Sequence, residues 1–356
     1  MSFAPPRPDA SLPPLVVNLF SDTQTLPSRA MKEAMMSAAL GDEQMGDDPT
    51  IWALCDRVAA LLGKEAAVFL PSGTMCNQAA LATHCRPGDE VLAHRTAHIL
   101  SSEASGGAAI AGVQITGLPG ERGQFDAEAV RAALRSHDRH APPQTLLEVE
   151  QTANAGGGTV WPVEKLAAVA EVAHTAGLAT HMDGARLLNA AVAAGAAPAD
   201  MAAGFDSVWI DFSKGLGTPV GAVLAGSSAF IDRAWQWKQR LGGALRQGGI
   251  VAAACLYALD HNIDRLAEDH ANAKALASGL AQIPGITVET PETNLVFFNT
   301  RGTGLAAVEL AKRVRRQGVA FSVNSAWRGR ACTHLGVDRA GIEQAVAVIR
   351  AAVAAA

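Results

Sequence analysis

From about residue 65 onward, short apolar runs alternate with longer amphipathic stretches along the chain. The apolar runs at 66–70, 90–94, 113–118, 145–150, 178–183, 207–211 and 221–225 have strand length, and several lack polar alternation. Strands that are apolar on both faces belong to a parallel sheet covered on both sides. Between them, the spacing of Val163, Leu166, Val169, Val172 and Ala173 predicts a helix over 163–176, with Gly177 as its stop. Strand–helix–strand alternation of this kind predicts an α/β fold around a large, mostly parallel sheet of seven strands. After about residue 245 the pattern changes. A helical region over 247–283 is followed by short strands at 286–289, 294–299 and 319–323, and a last helix starts near Asp338. The expected division is an N-terminal arm (1–25), a large α/β domain (26–245) and a smaller C-terminal α+β domain (246–356). No repeat of fixed period stands out. The Ala-rich tracts at 189–204 and 351–356 are biased in composition, and the second reads as a helix end or a frayed tail.

Composition narrows the function classes. Hydrophobic residues make up 49% of the 356 and charged residues 18%, which supplies a core and excludes intrinsic disorder. Twenty-nine Lys and Arg against 34 Asp and Glu give a net charge of −5, with no long basic block. Nucleic acid and anionic membrane are therefore not expected as partners. A single tyrosine disfavours a stacking platform for bases. The five cysteines are scattered without a Cys-x-x-Cys pair, so neither a disulfide framework nor a zinc ribbon is expected and no metal is assigned. A reducing, cytoplasmic compartment fits. The Pro-rich start lacks a signal-peptide pattern, and the longest uncharged apolar run, 215–231, is broken by Gly, Pro and Ser. It falls short of the roughly 20 apolar residues a membrane span needs.

Ligands of an open parallel sheet gather beyond the carboxyl ends of its strands. Four polar sets follow strands or helices there. Pro71-Ser72-Gly73-Thr74 offers backbone N–H groups, hydroxyls and a helix start, which suits a phosphate, although such a triplet is more often just a turn and N-cap. His181-Met182-Asp183-Gly184-Ala185-Arg186 ends an apolar strand on a carboxylate, which needs a partner: Arg186 in a structural pair, or a cationic nitrogen with Arg186 left for an anion. Ser213-Lys214-Gly215-Leu216-Gly217 sets a lysine among glycines at a strand end, as a Schiff-base former would be. Gly242-Gly243-Ala244-Leu245-Arg246-Gln247 is a Gly-rich turn ending in an arginine, either a capping turn or a phosphate contact across a dimer. Together they are the parts needed to hold pyridoxal phosphate: a phosphate cradle, a carboxylate for the ring nitrogen, a Schiff-base lysine and an arginine for a substrate carboxylate.

The motifs Ser21-Asp22-Thr23, Gly46-Asp47-Asp48-Pro49-Thr50, Pro71-Ser72-Gly73-Thr74-Met75, His181 to Arg186, Ser213 to Gly221 and Arg246-Gln247 are long and ordered. Through them the chain closely resembles the threonine aldolase family of fold-type-I, aspartate aminotransferase-like pyridoxal-phosphate enzymes, from about Asn18 to its C-terminus. The resemblance implies pyridoxal 5'-phosphate as cofactor, Lys214 as its Schiff-base lysine and Asp183 as partner of the ring nitrogen. Ser72, Gly73 and Thr74 would hold the phosphate, with Arg246 reaching it from a neighbouring subunit of a homotetramer, a dimer of dimers with shared active sites. His98, five residues before Glu103, would stack on the ring and serve catalysis. Ser21, Arg186 and Arg330 would grip the carboxylate of a small amino-acid substrate. The implied reaction is retro-aldol Cα–Cβ cleavage of a β-hydroxy-α-amino acid (threonine, allo-threonine, phenylserine or a bulkier analogue) to glycine and an aldehyde.

Three positions depart from the family pattern. Phe20 stands where an Arg usually precedes Ser-Asp-Thr, Met45 where a Tyr precedes the Gly-Asp-Asp-Pro-Thr motif, and Ala153 where a His is common. An alanine cannot move a proton, so that task falls to His98 or a bound water. The three changes read either as drift or as a roomier, more apolar pocket that favours substrates larger than threonine. Two alternatives keep or lose the chemistry on the same scaffold: β-elimination or another bond cleavage at Cα, and a non-catalytic relic. A nicotinamide enzyme is disfavoured because no Gly-x-Gly-x-x-Gly follows the first strand.

Overall fold

The computed structural model describes residues 4, 5, 7 and 9–355. Residues 1–3, 6 and 8 of the expected arm, and the last residue of the Ala-rich tail, lie outside the described residues. The strands in chain order are β1 (Val17–Leu19), β2 (Ala66–Leu70), β3 (Glu90–His94), β4 (Gln114–Leu118), β5 (Gln144–Glu150) and β6 (Ala179–Gly184). They continue as β7 (Ser207–Asp211), β8 (Ala222–Gly226), β9 (Thr287–Val288), β10 (Leu295–Asn299), β11 (Val319–Val323) and β12 (Arg328–Cys332). Two compact units result, one of residues 25–268 and one of 1–24 with 269–356.

The larger unit is built on a seven-stranded sheet of order β2-β8-β7-β6-β5-β3-β4. Neighbours from β7 through β4 run parallel, and β8 runs antiparallel to both β2 and β7. Every residue of β3, β7 and β8 is buried, which is why their sequences show no alternation. Helices pack on the sheet through apolar stripes. Val163–Thr175 buries Leu166, Val169, Ala170, Val172 and Ala173. Gly177, at φ +80°, supplies the left-handed residue that ends this helix's turn. The helix Gly73–His84 follows β2 directly and is capped by Ser72, whose side chain accepts from Met75 N–H. The strand register then fixes where chemistry sits. Glu150 of β5 lies opposite Asp183 of β6, and Asp183 lies opposite Trp209 of β7. Three neighbouring strands thus carry carboxylates at or next to their last residue, at one edge: Glu150, Asp183 and Asp211.

The smaller unit holds a five-stranded sheet, β1-β11-β12-β10-β9, with the helices Ala307–Arg315 and Arg339–Ala354. Asp338 caps the last helix through Gly341 N–H at 2.8 Å. Phe298 and Phe321 meet edge-on in its core.

Three features differ from the sequence expectations. Val17–Leu19 is a strand paired with β11, not part of an arm; three residues are too few to show a period. β12 was not foreseen, because Arg328-Gly-Arg-Ala-Cys reads as a charged loop; a Cβ on its Gly329 would stand 2.4 Å from the Phe298 ring. The helical region 247–283 is two helices, Gly249–His261 and Leu266–Ala281, and the first packs on Arg29–Met36 and Pro49–Leu62. The division therefore falls at 268/269, later than the expected 245/246. Among the described residues, no helix is long and apolar enough to cross a membrane.

Candidate active site

The carboxyl edge of the large sheet collects most of the residues singled out from sequence. Asp183 is fully buried. Its Oδ1 accepts from Ala185 N–H (3.0 Å) and its Oδ2 from the Asn77 amide (2.8 Å). Burial pushes its carboxyl up, while His98, Lys214 and the Asn77 bond pull the other way. Both hydrogen-bond donors are neutral, so this carboxylate has room for a cationic N–H in contact.

Asn77 is the fifth residue of the helix that Ser72 caps. Its amide also donates to Glu103 Oε1 at 2.7 Å. The same Glu103 oxygen meets His98 Nδ1 at 2.8 Å, and Gln78 Nε2 donates to the other oxygen at 2.5 Å. The Glu103 bond raises the His98 imidazole above its ordinary pKa, and partial burial opposes it. Ligand-type atoms of His98, Glu103 and Asp183 all lie within 4.8 Å of one another. With Nδ1 engaged by Glu103, Nε2 is the nitrogen His98 keeps for other chemistry.

Lys214 sits past the end of β7. Its Nζ pairs with Asp211 Oδ2 at 2.8 Å and stands 5.6 Å from the Trp209 ring centre. Ser213 donates to the other Asp211 oxygen through both N–H and Oγ, at 2.8 Å each. Lys214 and Arg186 line one small cleft. Arg186 is buried, with its backbone N–H on Gln151 O at 3.2 Å.

Gly73 is buried under the same indole: a Cβ there would stand 2.2 Å from the Trp209 ring. Only glycine allows this approach of helix to ring. Ser72 and Thr74 flank it, exposed at the N-terminus of the twelve-residue helix. That end presents unpaired N–H groups of the first turn and a positive dipole.

Two more carboxyls line the edge. Glu150 accepts from Asn154 N–H at 3.1 Å, and burial followed by Asp183's charge pushes it up to about 7. Glu148, one pleat deeper, is fully buried with no hydrogen-bond partner for either oxygen among the described residues. Burial, then the negative charge of Asp183, drives it well above the carboxylate range, so it is held as a neutral acid.

The remaining residues lie elsewhere. Arg246 pairs with Asp42 at 3.1 Å and joins none of these contacts in its own chain. Ser21 and Arg330 belong to the smaller unit. There Ser21 Oγ accepts from Thr23 N–H and Oγ1, and Arg330 donates to Ser322 Oγ (3.0 Å) and Phe20 O (3.4 Å). Of the departures, Phe20 and Met45 are exposed. Ala153 is buried, with its Cβ against the 121–124 turn: a Cβ added to Gly123 would stand 2.4 Å from it.

Sequence reasoning did not single out Asn77, Trp209, Asp211, Glu148 or Glu150. The available signal was a set of polar residues at the ends or in the interior of otherwise apolar elements.

Comparison with known proteins bears on this geometry. A family model described as Beta-eliminating lyase matches residues 18–303. The low specificity L-threonine aldolase of Escherichia coli K12 is 41% identical over 337 residues, covering 94% of this chain and 99% of that one. Low-specificity L-threonine aldolase 1 of Arabidopsis thaliana is 40% identical, covering 89% and 91%. Among solved structures, the threonine aldolase of Leishmania major superposes with a TM-score of 0.81 at 20% identity, covering 95% of this chain and 99% of that one.

Proposed function

The chain belongs to the β-eliminating lyase family, among its threonine aldolases, and on that premise we propose that it cleaves β-hydroxy-α-amino acids such as threonine, allo-threonine and phenylserine to glycine and an aldehyde. The carrying observation is the buried carboxylate Asp183, supplied only with neutral donors, at the same sheet edge as Lys214 and the His98–Glu103 pair.

These residues fit pyridoxal 5'-phosphate. When bound, it supplies an electron sink for the pair left on Cα. Lys214 Nζ would carry its covalent attachment, and Asp183 would take the ring N–H as a charge-assisted hydrogen bond. Ser72, Gly73 and Thr74 would receive the phosphate at the helix N-terminus. Arg246 would serve the phosphate of a second copy, which accounts for its lying apart from this cluster. Exposed apolar side chains support such a copy: Met36, Met45 and Trp52 are 81%, 76% and 53% exposed. A homotetramer is the assembly proposed. Five free, buried cysteines support a reducing, cytoplasmic location.

His98 would stack on the ring and take the β-hydroxyl proton at Nε2, while Glu103 holds Nδ1–H and stabilises the imidazolium that forms. The Cα–Cβ bond then breaks, the aldehyde leaves, and a proton returned to Cα gives glycine. Arg186, buried beside Lys214 in the same cleft, would hold the substrate carboxylate. Met45 remains the position proposed to favour larger β-substituents.

The test is a product assay on the cofactor-loaded enzyme with threonine, phenylserine and α-methylserine. Glycine, or alanine from the α-methyl substrate, with the matching aldehyde supports the reading. A 2-oxo acid with ammonia would establish β-elimination instead, and no turnover of any substrate would favour the relic. Lys214→Ala should abolish turnover and prevent borohydride from fixing the cofactor to the protein.

A further inference from the structure

We propose that a buried hydrogen-bond chain, His84–Ser207–His181–Asn77, is a positioning relay that fixes the Asn77 amide, which donates to both Asp183 and Glu103. It rests on the reading that Asp183 holds the ring nitrogen of the cofactor. None of these four residues touches the reacting atoms.

The direction of every link follows from donor chemistry. Trp209 Nε1, a donor only, lies 2.7 Å from Asn77 Oδ1. That atom is therefore the amide oxygen, and the amide NH₂ faces the two carboxylates. His181 Nε2 lies 3.2 Å from the same oxygen, so it carries a hydrogen. Burial, then the neighbouring His84, holds the His181 imidazole down at about 3, so the ring is neutral and Nδ1 is bare. Ser207 Oγ, at 2.8 Å, must then donate to Nδ1. Its oxygen accepts from His84 Nε2 at 2.7 Å. His84 is likewise neutral, held down to about 4 by burial, and protonated on Nε2.

The chain crosses the larger unit from the carboxylate edge to a surface groove of about 490 Å³ lined by His84, His174, Asp206 and Arg233. The His84 ring is fixed there by stacking on Phe230, with centroids 4.6 Å apart. An Asn77 amide flip would set oxygen against two carboxylates and NH₂ against two donors. The relay makes that flip costly. One donor then stays on Asp183 Oδ2 and one on Glu103 Oε1, which keeps the ring-nitrogen partner and the His98 support at a fixed spacing.

Loss of one such bond is worth roughly 3- to 10-fold in an equilibrium constant. Ser207→Ala and His84→Phe, which keeps the ring and removes the donor, are expected to raise the cofactor dissociation constant about 3- to 10-fold. They should also shift the pH midpoint of the bound cofactor's absorbance. His84→Gln, which keeps a donor near Nε2, should stay within about twofold of wild type. Thr116→Val is the control: it removes the hydrogen bond to Glu90 at the far edge of the sheet, and should lower thermal stability without touching either cofactor readout. If Ser207→Ala and His84→Phe behave as Thr116→Val does, the relay is overturned and the chain is only structural. Asp183→Asn separates the underlying reading. Unchanged cofactor affinity and absorbance in that variant would overturn the ring-nitrogen assignment, and the relay with it.

Discussion

Glu150 and Asp183 stand opposite each other, in register, at the ends of two neighbouring parallel strands. Two buried carboxyls so placed cannot both ionise freely. Burial first, and Asp183 second, push Glu150 up to about 7. An unfolded glutamate titrates near 4.3, so between about pH 4.3 and 7 the native state holds more protons than the unfolded one. Stability therefore falls as pH rises through that window. Glu150→Gln removes the titration. Its unfolding free energy from urea titration, relative to wild type with both saturated in cofactor, should rise between about pH 5 and about pH 8 by at most about 3 kcal/mol. A constant offset between the two variants across this range would sink the assignment.

His98 titrates in the opposite sense. Its bond to Glu103 favours the imidazolium, so the neutral ring that can accept a proton is fully present only above its raised pKa. The acid limb of kcat/KM should reflect this. Glu103→Gln removes the favouring charge, and the limb should move to lower pH while the rate plateau falls, because Nδ1 loses its orienting carboxylate. An acid limb that does not move would remove His98 from the role of base.

Gly73 and Trp209 constrain each other. A methyl at 73 would stand 2.2 Å from the indole, so Gly73→Ala must displace either the ring or the start of the helix. The expected cost is about 1–3 kcal/mol of stability, with a larger loss in cofactor affinity, since the displaced turn is the one proposed to meet the phosphate. Calorimetry and cofactor titration on Gly73→Ala and on its combination with Trp209→Phe would check this. The smaller ring should recover part of both losses.

The central strands of the large sheet are legible in the sequence because fully buried strands leave apolar runs with sharp polar ends. Asp183 and Lys214 were visible for the same reason: each is a charge at the end of such a run. β1 and β12 were not visible, one because it has only three residues and the other because it alternates arginines with small residues. Asn77 shows a second limit. It is a neutral residue just past the Ser72-Gly73-Thr74-Met75 motif, and its significance lies in partners 106 and 132 positions away, at Asp183 and Trp209. Glu148 reads as a break in an apolar strand until the burial of both its oxygens is known. Periodicity reports which face a residue takes, whereas pairing across strands decides what it does there.

Ala153 tests whether a lost histidine can be put back. The Ala153 Cβ is packed under the 121–124 turn, close enough that Gly123 tolerates no side chain. Ala153→His adds an imidazole at a buried position beside that turn, and overpacking of this kind costs about 1–3 kcal/mol. The expected outcome is a lower melting temperature and no gain in threonine cleavage. The relative rates on threonine and phenylserine should change less in this variant than in Met45→Tyr, the position proposed to select the β-substituent. Higher threonine turnover in Ala153→His, with thermal stability intact, would show that the turn yields and that this position is a second seat for proton transfer.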